Sequence, residues 1–277
     1  MCQTCGKHFS ERLWYLEPEK HRIRSDGLLK DIINKNMISL VILGFQLIKK
    51  KQPYGAEPLP GISQRLLNWF ARTVHGMQAL PDLDSAFRTI DLAEEVALVP
   101  CLCRKASDPN LPPAWHCIGM NMTAKICYQK PSAYPVRVIS KQEAKDITAA
   151  RRAQGAYQAV GWQWDANVAW VCNCDQYCGA HRAPELDWGL TPSYVAARLV
   201  QPEACNGCQE CERWCLRQGA LTFGKDGRPV IDEAFCRGCG LCIEHCPQEA
   251  LGFVPREIFY DVMTKTVRDL GKEVARV

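Results

Sequence analysis

Between Cys205 and Cys246 the chain carries two cysteine runs: Cys205, Cys208, Cys211, Cys215, and then Cys236, Cys239, Cys242, Cys246. Each run has the spacing C-x2-C-x2-C-x3-C. Thiolates are soft ligands suited to iron or zinc. Three of them at a stride of three let one short loop wrap three corners of an iron–sulfur cube. The fourth, after the wider gap, belongs to a helix that points away from its own cube, so it ligates the other one. The expected sets are Cys205, Cys208, Cys211 and Cys246 on one [4Fe-4S] cluster, and Cys236, Cys239, Cys242 and Cys215 on a second. Zinc is the competing occupant. A zinc site takes two cysteine pairs and has no use for a third cysteine at stride three.

This stretch, roughly residues 196–254, resembles the bacterial-type two-cluster ferredoxins. An internal repeat runs through it: Ala220-Leu221 follows the first run, Ala250-Leu251 the second, and Gly207 and Gly238 take the same place in their runs. Glycine there lets backbone N–H groups close on cluster sulfur. Leu221 to Phe223 and Val230-Ile231, around Gly224 to Gly227, read as a hairpin. Pro247 follows Cys246 as in that family, whereas Leu216 follows Cys215 and one extra residue precedes Ala220. The resemblance implies low-potential one-electron couples and a role in electron transfer.

A second group of cysteines lies upstream: Cys101 and Cys103 in CLCR with Arg104, then Cys117, then Cys172, Cys174 and Cys178 in CNCDQYC. Cys-x-Cys pairs suit chelation and suit disulfide bonding poorly. The order of these stretches, roughly residues 90–254, resembles a group of larger iron–sulfur proteins of anaerobic bacteria and archaea described only as ferredoxin-domain proteins. That resemblance implies no substrate. Independently of it, both groups sit at the ends of predicted strands that can pair, which would make the thiols converge. A third metal site is expected at Cys101, Cys103, Cys117, Cys172, Cys174 and Cys178. An additional Fe–S cluster is preferred there over zinc. Cys127 is read as core; His116 and His181 are candidate ligands, with a surface or hydrogen-bonding role favoured over ligation. Cys2 and Cys5, with His8 and His21, are read as carrying no metal.

Around these thiols, the fold class expected is α+β in four parts. Residues 1–94 form a helical docking or packing region, with helices from Gly27 to Lys51, Ser63 to Ala79 and Leu83 to Glu94. Residues 95–195 form a cysteine-rich α/β middle domain. Val96 to Pro100 is a buried strand, Ser140 with Glu143 is a capping box for a helix from Lys141 to about Gln154, and Tyr157 to Trp164 pairs with Val168 to Cys172. Residues 196–254 are the two-cluster module, entered by a strand from Thr191 to Val200. Residues 255–277 form an amphipathic C-terminal helix.

Composition bounds the function. The chain has 277 residues, of which 17 are cysteine. No secretory leader is read at Met1 to Ser10, and the thiol chemistry fits a reducing compartment, so the cytoplasm is expected. The longest apolar run, Met37 to Ile48, falls short of the roughly 20 residues a membrane span needs. Residues 201–254 hold five Lys/Arg and eight Asp/Glu against a net charge of +4 for the whole chain. No phosphate loop, HExxH, catalytic triad, flavin or nucleotide fingerprint is present. With no helix-turn-helix and no basic stripe beyond Lys49 to Lys51, nucleic acid is not an expected partner. The leading function is relay of single electrons through two [4Fe-4S] clusters to a redox partner protein, as a docked subunit of a larger complex. A free carrier would need only the small module. A reductase acting at the upstream cysteines is the alternative, and a redox sensor a weaker one.

Overall fold

The computed structural model describes residues 13–22, 36, 75–101, 103–104, 114–129, 136–163, 167–175, 190–191, 193–217, 219–233 and 236–255. Among these, seven strands make one sheet: β1 (His75–Ala79), β2 (Val96–Pro100), β3 (Trp115–Met120), β4 (Arg137–Val138), β5 (Tyr157–Gln163), β6 (Asn167–Cys174) and β7 (Leu190–Thr191). Their order is β4-β2-β3-β6-β5-β1-β7. Neighbours are antiparallel except β1 with β7.

Side chains alternate between the two faces of a strand, and here the alternation separates two cores. Val96, Leu98, Ile118, Met120, Val160 and Val171 share one with Ala86, Ile90 and Ala144. These last come from α1 (Leu83–Leu92) and α3 (Lys141–Ala153), which form a helical layer. Ala97, Val99, Cys117, Ala159, Cys172 and Cys174 belong to the other core, with Ala124 and Cys127 of α2 (Met122–Gln129). Caps fix the helical layer. Asp82 accepts a hydrogen bond from the Ser85 N–H at 2.7 Å, and Ser140 accepts one from the Glu143 N–H at 3.0 Å.

Two bulges break the alternation. Val99 faces Cys117 but Pro100 faces Trp115, so His116 is the extra residue. Pro100 has no N–H to give the ladder, which favours the slip there. Gly161 faces Trp170 and Trp162 faces Val168, leaving Ala169 extra. Trp170 stays in phase with Cys172 and Cys174 in the cysteine-bearing core, and beyond the bulge Val168 joins the other one. A Cβ on Gly161 would lie 2.9 Å from the Trp170 ring.

The C-terminal module has two similar halves. One is β8 (Val195–Leu199), α4 (Glu210–Trp214) and β9 (Leu221–Phe223). The other is β10 (Pro229–Ile231), α5 (Leu241–Glu244) and β11 (Leu251–Pro255). β8 pairs with β11, and β9 with β10, both antiparallel. Positive φ recurs at matching places, at Gly207 and Gln209 in the first half and at Gly238 and Gly240 in the second.

The architecture is mixed α and β with this module at its C-terminal side. The helical reading of residues 1–94 fails at its far end. His75–Ala79 is strand, paired with five residues of β5. Alternation there is short enough to fit either period, and ladder pairing overrides weak local preference. β1 and α1, both before residue 95, are built into the sheet and its helical layer. Within that layer, Trp14 donates to Gln78 Oε1 at 2.8 Å and meets Trp162 edge-on at 5.5 Å. The expected strand from Thr191 to Val200 divides into β7 and β8, with Pro192 between them. The helix from Gly27 to Lys51, most of that from Ser63 to Ala79, and residues 256–277 lie outside the described residues. So do Cys2, Cys5, His8, Cys178 and His181.

Replacing the cap by Ser140→Ala should lower stability by about 1 kcal/mol, read as a lower denaturation midpoint with the denaturant slope unchanged.

Candidate metal centres

Two cavities lie in the C-terminal module, and each is walled by four cysteines. The first, about 320 Å³ with its mouth, is lined by Cys205, Cys208, Cys211 and Cys246, together with Leu199, Pro247 and Leu251. The second, about 460 Å³, is lined by Cys215, Cys236, Cys239 and Cys242, with Tyr157, Trp214 and Arg237. Each therefore takes three thiols from one run and one from the other. The short helices α4 and α5 account for this exchange, since each carries the chain from its own cavity to the neighbouring one. Trp214, one residue before Cys215, stacks on His245, one residue before Cys246, with ring centroids 3.5 Å apart.

The two cavities differ in environment. Cys208 is exposed at the first. The second is shielded by the sheet domain, whose Tyr157 forms part of its wall, and the Arg237 guanidinium lies 5.9 Å from that ring centroid. Burial raises the thiol pKa of Cys211 and of Cys239 to about 11. Cys242 is pushed up further, again mainly by burial. Cys215 is raised by burial too, against the pull of a backbone hydrogen bond at Arg217 and of the Arg217 and Arg237 charges. Such thiols resist becoming bare anions, so their ionisation requires a cationic partner, which bound iron supplies. The donor set and the cavity shapes fit [4Fe-4S] groups.

Backbone donors converge on the second cavity. The N–H groups of Ala197 and Gly238 both point at Cys236 Sγ, each at 3.4 Å. Gly238 has φ +66°. A Cβ on it would stand 2.1 Å from the Val195 carbonyl oxygen. Gly207, at φ +71°, instead faces the Asp226 and Gly227 carbonyls.

The second cavity is also wired to the sheet. Arg152, at the end of α3 and 2% exposed, donates to Glu244 Oε2 at 2.7 Å and to the Cys239 carbonyl at 3.0 Å. It also donates to Gln158 Oε1 at 3.1 Å. Gln158 in turn donates to Asn173 Oδ1 at 3.1 Å, and Asn173 to the His116 carbonyl at 2.6 Å. Neither Arg152 nor Asn173 stood out in the sequence. The signal was weak: an arginine in the last turn of a predicted helix normally reads as solvated.

Upstream, Cys101, Cys117, Cys172 and Cys174 share one core, with Cys103 packed against it. Neighbouring thiols, with burial, push the Cys117 and Cys172 pKa values well above the ordinary thiol range. The structure thus brings together five of the six thiols expected at a third site; Cys178 lies outside the described residues. His116, read from the sequence as a surface or hydrogen-bonding residue, is buried beside Cys101 and Cys117. The bulge at Pro100 turns it there, and only the preceding proline hinted at that. Cys127 sits in the core, with burial alone raising its thiol pKa to about 11. His21 is buried with Nε2 2.8 Å from the Tyr15 carbonyl.

Residues 200–256 match the family described as 4Fe-4S dicluster domain. The pyruvate synthase subunit PorD of Methanocaldococcus jannaschii is 32% identical over 59 residues, which are 21% of this chain and 67% of that one. This chain belongs to the ferredoxin-type iron–sulfur proteins. Two larger proteins are also similar to parts of this chain. An uncharacterized ABC transporter ATP-binding protein of Methanocaldococcus jannaschii is 38% identical over 79 residues, 26% of this chain and 12% of its own length. A protein of the Na(+)-translocating ferredoxin:NAD(+) oxidoreductase complex of Acetobacterium woodii is 34% identical over 61 residues, 19% of this chain and 18% of its own. The chain thus spans under a fifth of the length of these last two proteins. No solved structure matches the chain. Among the described residues, no helix is long and apolar enough to cross a membrane.

Gly238→Ala should displace the Cys236 to Cys242 loop from β8. We expect the iron bound by the ferredoxin module to fall by about half, measured by iron and sulfide analysis on the full chain.

Proposed function

We propose that the chain relays single electrons through two [4Fe-4S] clusters as a subunit docked to a larger redox enzyme. One observation carries this reading: two adjoining cavities, each walled by three cysteines of one run and the last cysteine of the other. When bound, each cluster supplies a one-electron couple.

The chain's own residues set the direction of transfer. Exposed Cys208 marks the first cavity as the place where a partner approaches. The second cavity, lined by Cys215, Cys236, Cys239 and Cys242, is the inner station. Arg152, Arg217 and Arg237 lie around it, and the N–H groups of Ala197 and Gly238 aim at Cys236 Sγ. Positive charge and N–H donors at thiolate sulfur favour the more negative, reduced state. Apolar walls from Leu221, Ile231 and Trp214 keep water away. The sheet domain supports the inner station and makes the chain larger than a free carrier needs to be. Relatives named as subunits of redox complexes support the docked arrangement. A third metal-binding site in the sheet domain belongs to the same reading.

The test is iron counting and EPR on anaerobically purified full-length protein. The wild type should hold about eight irons in the module and, once reduced, give a spin-coupled two-centre spectrum. Cys246→Ser should perturb the centre of the Cys205, Cys208, Cys211 set, and Cys215→Ser the other. Each variant should approach about four irons and a simple one-centre spectrum. Full iron content and an unchanged spectrum in both variants would overturn the assignment.

A further inference from the structure

The separation of the upstream thiols and His116 bears on what kind of ion they hold. The ligand atoms of Cys101, His116 and Cys117 lie within 4.8 Å of one another, and all three residues are buried. Four thiolates on the corners of an iron–sulfur cube stand about 6 Å apart. Ligands of a single tetrahedral ion, at about 2.3 Å for sulfur and about 2.0 Å for nitrogen, stand less than about 4 Å apart. Cys101, His116 and Cys117 are thus too tight for a cube and close to the spacing of one ion. The ferredoxin module gives the contrast within the same molecule. Among the described residues, neither of its four-cysteine cavities brings three sulfurs within 4.8 Å.

Further observations point to a ligand rather than plain packing. His116 Nε2 is buried and has no hydrogen-bond partner among the described residues. An imidazole nitrogen left that way in an apolar core is unfavourable unless something binds it. The carbonyl of the same residue is fixed by Asn173 at 2.6 Å, which holds the bulge in place. Cys101 Sγ accepts the Arg104 N–H at 3.4 Å. Backing of this kind is what orients metal ligands and stabilises thiolate.

We propose that Cys101, His116 and Cys117 bind one divalent cation of the zinc class. Such an ion clamps the ends of β2 and β3 beside the Pro100 bulge. These residues supply two thiolates and an imidazole, and zinc has no redox chemistry of its own, so the ion takes no electrons. The inference bears on the third site of the relay reading but does not depend on the two-cluster module being a relay.

The experiment uses the full chain purified anaerobically from cells supplied with iron and zinc. Metals are counted by mass spectrometry, and zinc is examined by X-ray absorption. We expect about one zinc beside about eight irons, with a mixed sulfur and nitrogen shell at about 2.3 and 2.0 Å. Cys117→Ser and His116→Gln should each lose the zinc and keep the module's irons and its EPR spectrum. The retained iron signal shows that the variants fold. About twelve irons without zinc would overturn the proposal in favour of a third cube. Eight irons with no other metal would overturn it outright, as would zinc retained in both variants. Loss of the EPR spectrum in the wild type would count against the relay and leave the zinc count to stand by itself.

Discussion

Arg152 is the residue on which the arrangement of this molecule turns. A guanidinium keeps its charge at any ordinary pH, so burying it demands partners on every side. Here those partners come from three places: a carboxylate on α5, a carbonyl in the cysteine loop, and an amide on β5. Removing the arginine would leave Glu244 and the Cys239 carbonyl without their shared donor. Breaking a buried pair in this way is strongly destabilising, of the order of 3–5 kcal/mol, with the lower end fitting a half-exposed carboxylate. The sheet and the ferredoxin module are therefore held together by directed bonds as well as by apolar contact.

That contact uses a sheet with two different faces. Simple alternation sends valine, leucine and isoleucine toward α1 and α3, and cysteine, alanine and glycine toward the module. Small residues on the second face let other backbones come close. Gly240 shows how close: a Cβ there would be 2.4 Å from the Pro81 carbonyl oxygen. Gly155, just past α3, makes room in the same way for the Trp214 ring, which would lie 3.2 Å from an added Cβ. The clusters' inner wall is thus supplied partly by residues far from the cysteine runs.

Much of this was legible in the sequence, and for physical reasons. Cysteine spacing is a local property, so the exchange of Cys215 and Cys246 between cavities could be read from the stride alone. The strand at Val96 to Pro100 and the capped helix after Ser140 were equally plain, because alternation and capping chemistry are also local. What the sequence hid depends on distant partners. Met77 and Ala79 sit in a strand only because β5 offers a free edge. His116 faces the thiols only because a proline on the neighbouring strand shifts the ladder. Arg152 looked like one more charge at a helix end, and its burial comes from elements almost a hundred residues later. The expectation of a third metal site rested on thiols at the ends of strands that could pair, and which of those thiols meet depends on the fold.

The seat for the Cys236 to Cys242 loop is made of Pro81, Arg152 and Tyr157, all encoded earlier than the loop itself. On a ribosome this seat emerges first. A nascent chain can complete its sheet while the last cysteine run is still inside the exit tunnel, and domains do tend to fold from the N-terminal side during synthesis. Iron delivered late would then meet a half-built mould rather than a loose string of thiols.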